Sequence, residues 1–108
     1  MKSNNSPLPG AARNNIIVGL EPYLSEDFDR FNNAEILSTI RALEEFRRKY
    51  HDEDNLSQLL RLISDTIAAL TIARGYATPK VPRSLEYYQS MSSVRRYSEQ
   101  IRRLLGER

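Results

Sequence analysis

Leu56-Ser-Gln-Leu-Leu-Arg-Leu-Ile-Ser-Asp-Thr-Ile-Ala-Ala-Leu-Thr-Ile-Ala-Arg74 is the stretch whose reading decides the fold. Leu56, Leu60, Ile63, Ile67 and Leu70 recur at alternating steps of four and three, the period of one helical face. Leu59, Leu62, Ala69 and Ala73 form an adjoining apolar stripe. A helix of this length runs about 30 Å, and a single partner helix covers only one of its stripes. The segment is therefore predicted as the centre of the core, with a helix packed on one side and a further helix or a second subunit on the other. Asp52, Glu53 and Asp54 precede it, where carboxylates meet the positive end of a helix dipole. The helix is predicted over 54–74, with Gly75 as its C-terminal cap.

Upstream, Asn32-x-x-Glu35 has the form of a capping box, and Phe31 stands where it would staple onto Ile36. Ile36, Ile40, Leu43, Phe46 or Arg47, and Tyr50 continue at steps of three and four, which predicts a helix over 33–50. Downstream, Gly75 to Pro82 is a stiff connection, because each proline disfavours helix in the residue before it. A third helix is predicted over 83–105, burying Leu85, Tyr88, Met91, Val94, Ile101 and Leu104 or Leu105. The serines at 90–93 offer a break and a new N-cap. Residues 16–31 mix Ile16, Ile17, Val18, Leu20, Tyr23, Phe28 and Phe31 with Gly19 and Pro22, and read as a short helix or an extended arm. Residues 1–15, rich in Asn, Pro, Gly and Ala, read as a disordered tail. The expectation is one all-α domain over 16–108, an antiparallel bundle of three main helices. A chain of 108 residues buries only a modest core, so dimerisation is expected to complete it.

Composition narrows the chemistry. There is no cysteine and one histidine, so thiol nucleophiles, thiolate metal sites and most acid–base pairings are excluded, and no Gly-rich phosphate loop is present. His51 with Asp52 and Asp54 is too small a set for a metal and lacks the glycine of a calcium loop. No enzyme, cofactor or metal is expected. No secretory leader and no membrane-spanning apolar run are read, and a cytoplasmic location is the default.

Charge is the informative feature. Residues 1–73 hold 8 Lys/Arg against 11 Asp/Glu, whereas residues 74–108 hold 8 against 3, so the C-terminal third is the basic one. Arg95 and Arg102, and likewise Arg96 and Arg103, are separated by two helical turns, about 10.5 Å. These four form an expected strip for phosphate oxygens, unless Glu99 ties them into surface ion pairs. Arg74 continues the core series of the central helix at its end and either partners the helix dipole or projects at a binding surface. Arg61, Lys80 and Arg83 are lesser candidates for the same ligand. Tyr87, Tyr88 and Tyr97 are read first as packing residues and only secondarily as stacking platforms.

The order Leu70-Thr71-Ile72-Ala73-Arg74, then Lys80-Val81-Pro82, then Leu85 to Tyr88 and the basic stretch Ser98 to Leu105 resembles the insect nodavirus suppressors of RNA silencing. The resemblance spans about a third of the chain. It implies a small helical homodimer that binds double-stranded RNA, with Arg74 as the one residue matching an RNA-contacting position. Upstream of Arg74 the central helix has only Arg61 as a basic residue, fewer than that family's long helix. An A-form duplex is recognised by shape, phosphate and 2′-hydroxyl contacts, so a rigid helical protein needs no base-reading motif. The rival expectation is a helical adaptor or inhibitor docking a protein partner on Leu59, Leu62, Ala69 and Ala73. A basic helix lying on anionic membrane or in a peptide groove ranks below both.

Overall fold

The structure, a computed structural model, describes residues 8–106. It is all-helical, with no strand among the described residues. Four α-helices follow in order: α1 (Gly10–Leu20), α2 (Asn33–Tyr50), α3 (Ser57–Gly75) and α4 (Leu85–Leu104). Single 3₁₀ turns at Glu21–Leu24, Phe28–Arg30 and Asp54–Leu56 join them.

α2 starts where the sequence places it. The Asn32 side chain accepts from the Glu35 amide at 2.8 Å while the Glu35 carboxylate accepts from the Asn32 amide at 3.0 Å, satisfying two free donors of the first turn. Ile36, Ile40, Leu43, Phe46 and Tyr50 are buried as a single face. At the other end the His51 Nδ1 lies 2.8 Å from the Arg48 carbonyl and its Nε2 lies 3.1 Å from Asp52. The histidine is thus engaged in closing the helix terminus.

α3 is the central element, flanked by α2 and by α4. It runs antiparallel to α2, because Asn33 at the start of α2 donates to the carbonyl of Arg74 at the end of α3 at 2.9 Å. Leu59, Ala69 and Ala73 are buried within the chain and Leu62 is half-buried. This corrects their assignment to an external interface. Both stripes of the central helix are covered mostly from within, since α4 packs on the second. Gly75 ends α3 without a positive φ, and the cap is Tyr76, whose amide donates to the Ala73 carbonyl at 3.0 Å while the Ala77 amide donates to that of Arg74 at 3.3 Å. The segment Asp54–Gly75, which holds an 18-residue window of mean hydropathy 1.3, is long and apolar enough to cross a membrane by length and composition alone. No uninterrupted apolar run of that length exists in it, because Gln58, Arg61 and Asp65 fall among the leucines and isoleucines. In the fold, 44% of that apolar window is buried.

α4 begins at the Ser84 N-cap, whose hydroxyl accepts from the Tyr87 amide at 3.3 Å, and continues unbroken through Ser90–Ser93. The break that these serines offer is not taken. Its buried series is Tyr87, Met91, Val94, Ser98 and Ile101, at steps of four and three. Leu85 is 68% exposed and Tyr88 only partly buried, so the register differs by one residue from expectation at the start of the helix. The reason is polar: the Tyr87 hydroxyl donates to the Phe28 carbonyl and accepts from Arg83 Nη1, which lets a tyrosine occupy the interior.

The N-terminal part departs most from expectation. Residues 10–15, read as tail, belong to α1, and residues 1–7 of that reading lie outside the described residues. Ala11 and Ala12 favour helix, and Ile16, Ile17 and Leu20 bury, so the helix is secured from its far end. Pro22 has no N–H to extend the ladder, and the chain turns into the Glu21–Leu24 segment, which packs on α4. Tyr23 stacks on Phe31 with ring centroids 4.4 Å apart, and its hydroxyl lies 2.8 Å from that of Thr39. A fourth α-helix thus joins the three expected. The molecule measures 53 × 27 × 19 Å, and a thickness of two helix diameters leaves each helix an outward face.

Candidate nucleic-acid interface

The eight basic residues expected to bind one ligand do not share one surface. Arg74 sits at the α2–α3 corner, where its Nε donates to the Asn33 side chain at 3.3 Å. Arg83 turns inward on the connection: Nε donates to the Thr78 carbonyl at 2.6 Å, and Nη1 bonds the Tyr87 hydroxyl at 2.8 Å and the Phe28 carbonyl at 3.4 Å. Arg95 donates from Nε to the Leu24 carbonyl at 2.9 Å and lies 3.7 Å from both Glu26 and Glu99. Arg102, two turns beyond Arg95, is half-buried and has a bonding partner of its own. The guanidiniums of Arg74, Arg83 and Arg95 hold segments of the fold together. They correct the expectation that Arg74 and the four arginines of α4 form one strip for a single ligand. The spacing of seven was right for each pair, but the two pairs lie about 100° apart around the helix. Lys80 is exposed on the connection.

Arg61 and Arg103 behave differently. They come from opposite ends of the two helices and, because α3 and α4 are antiparallel, line one open recess on the outer α3–α4 face. Leu62 and Leu104 form its apolar parts, and Gln58 and Gln100 its neutral polar ones. Neither arginine makes an ion pair or hydrogen bond among the described residues. Arg96, two turns before Arg103 on the same outward stripe, is exposed, with its guanidinium 5.6 Å from the Tyr97 ring centroid. Three cationic heads are therefore presented to solvent from one side of the molecule.

The face continues along both helices. Arg61, Asp65, Ala68 and Ile72 are exposed on α3 at steps of four, three and four. A second shallow recess lies between Asp65, Ala68 and Ile72 on one side and Gln89, Ser93 and Tyr97 on the other. Asp65 borders both recesses, and like Arg61 it has no hydrogen-bond or ion-pair partner among the described residues. Sequence reading weighed Arg61 but missed Asp65, Gln58 and Gln100. The available signal was the polar step series on the back of the central helix, out of phase with its apolar stripes.

A second basic patch is the α2 terminus, where Arg47 donates to Ser64 at 3.2 Å and Arg48 pairs with Glu45. Among the described residues no group of three or more His, Asp or Glu side chains stands close enough to hold a metal ion. No family model, curated protein or solved structure matches this chain.

Proposed function

We propose that this chain is a non-enzymatic binding protein that holds the phosphate backbone of double-stranded RNA against the outer face of α3 and α4. The observation that carries this reading is that Arg61 and Arg103, from two different helices, line one open recess with no partner of their own among the described residues. A guanidinium presents a planar fork of donors matched to phosphate oxygens. Arg96 adds a third charge farther along the same stripe of α4. Gln58, Gln100, Gln89 and Ser93 supply neutral hydrogen-bonding groups between the charges. Such a set recognises backbone and shape instead of base edges, as an A-form duplex requires. The basic set expected from sequence narrows to Arg61, Arg96 and Arg103, whereas Arg74, Arg83 and Arg95 serve the fold. A second copy extends the face at its apolar end, where Ile72, Tyr76 and Leu85 are exposed.

The test is a mobility-shift titration of a blunt RNA duplex at two salt concentrations, with sedimentation to count copies. Two or three phosphate contacts per chain give a log–log salt slope of about −2 to −3 per chain. Absence of binding at low salt, or affinity that does not change with salt, contradicts the proposal. Either result favours a protein partner docked on Leu62, Ile72 and Leu104 of the same face.

A further inference from the structure

Asp65 is the anomaly of this face. It stands one turn from Arg61 on α3, borders both recesses, and is exposed with no bond to Arg61, Arg103 or any other described residue. A surface built only to attract phosphates gains nothing from a carboxylate at its centre, which repels every phosphate that approaches. The other charges here are cations that any duplex satisfies equally, whether RNA or DNA. A carboxylate is acceptor-only and needs a donor opposite it. Along a nucleic-acid backbone the ribose 2′-hydroxyl is the one group that donates, and DNA lacks it.

Resting on the duplex-RNA reading above, we propose that Asp65 is the residue by which this face selects ribose over deoxyribose: it accepts a hydrogen bond from a 2′-hydroxyl held between the phosphates that Arg61 and Arg103 engage. Against DNA the same carboxylate is left without a donor and close to phosphate charge. Discrimination then comes from a repulsive element that only the correct ligand relieves. The division of labour is spatial. The arginines supply affinity common to all duplexes, and Asp65, placed between the two recesses, supplies the difference between them.

The experiment compares wild type, Asp65→Ala and Asp65→Asn on three duplexes of one sequence: RNA, DNA, and RNA carrying 2′-fluoro groups, which keeps the A-form but has no 2′ donor. Circular dichroism checks that the helices are intact, as is expected for an exposed helical position where alanine is well tolerated. The wild type is expected to bind RNA about tenfold or more tighter than 2′-fluoro RNA, the range of one hydrogen bond to a charged acceptor. Asp65→Ala is expected to bind the two alike and to tighten on DNA. Asp65→Asn, which keeps an acceptor oxygen but not the charge, retains part of the preference. The proposal is overturned if the wild type does not distinguish RNA from 2′-fluoro RNA, or if Asp65→Ala distinguishes them as well as wild type does. It is also overturned if the alanine variant tightens equally on all three duplexes, which marks Asp65 as a long-range charge only. Failure of the wild type to bind any duplex removes the binding reading itself and this inference with it.

Discussion

Two buried hydroxyl groups in this protein have opposite fates, and the difference sets what each substitution does. Ser98 is fully buried on α4 and its Oγ has no hydrogen-bond partner among the described residues, so the residue carries a desolvation cost without compensation. Ser98→Ala is expected to leave stability unchanged or to raise it by about 1 kcal/mol in urea unfolding. Tyr87 is buried too, but its hydroxyl bridges Arg83 and the Phe28 carbonyl. Tyr87→Phe removes that bridge, leaves the Phe28 carbonyl with only the longer bonds from Arg83 Nη1 at 3.4 Å and the Phe31 amide at 3.5 Å, and is expected to cost about 1–3 kcal/mol. Burial pushes the Tyr87 hydroxyl above its ordinary value of 10.0, and does the same to Tyr23. For both, the folded pKa exceeds the unfolded one. Their contribution is complete below the unfolded value and is lost as pH rises through the raised folded values. Urea midpoints should therefore hold steady between about pH 7 and about pH 9 with respect to these groups and decline above about pH 10. The decline should be smaller in Tyr87→Phe. An unchanged midpoint at high pH, or an equal decline in that variant, contradicts the assignment.

At the scale of elements, the N-terminal segment is held by side chains that reach from distant sequence. Arg13 on α1 donates to the Leu105 carbonyl at 2.8 Å, Arg95 on α4 reaches back to Leu24, and Arg83 reaches Phe28. Arg95→Ala is therefore expected to loosen residues 10–31 while leaving the α2–α3 pair intact. Amide hydrogen exchange should show faster exchange in α1 and the Glu21–Leu24 turn, and little change in α3. Uniform loss of protection would instead make the whole chain one cooperative unit. The same contacts explain what was legible in the sequence. α2 and α3 could be read because their own periodicity and the Asn32 box specify them locally. α1 could not, because Gly10–Asn15 carries no apolar period and becomes helical only when Ile16, Ile17 and Leu20 find a surface that other helices provide. The start of α4 was misread by one residue for a related reason. Leu85 is the more apolar choice, but Tyr87 wins the interior through a carbonyl 59 residues away in sequence.

For the whole molecule, the decisive point is how arginines are divided between fold and surface. Net charge and helical spacing could not reveal that division, since Arg95 and Arg96 are neighbours in sequence with different duties. One turns toward Leu24 and is spent on packing, and the other faces solvent above Tyr97. Legibility therefore stopped at the existence of a basic C-terminal third. Which of its charges are free depended on the three-dimensional path of residues 21–31. The central claim is that Arg61 and Arg103 jointly hold duplex phosphates, and the most direct measurement is the salt dependence of RNA-duplex affinity in Arg61→Ala/Arg103→Ala beside Arg74→Ala. The double variant is predicted to bind more weakly at low salt and to lose about 2 units of log–log slope, two phosphate contacts, while Arg74→Ala keeps the wild-type slope. A double variant with wild-type affinity and slope, or an Arg74→Ala variant that loses slope in its place, would contradict it.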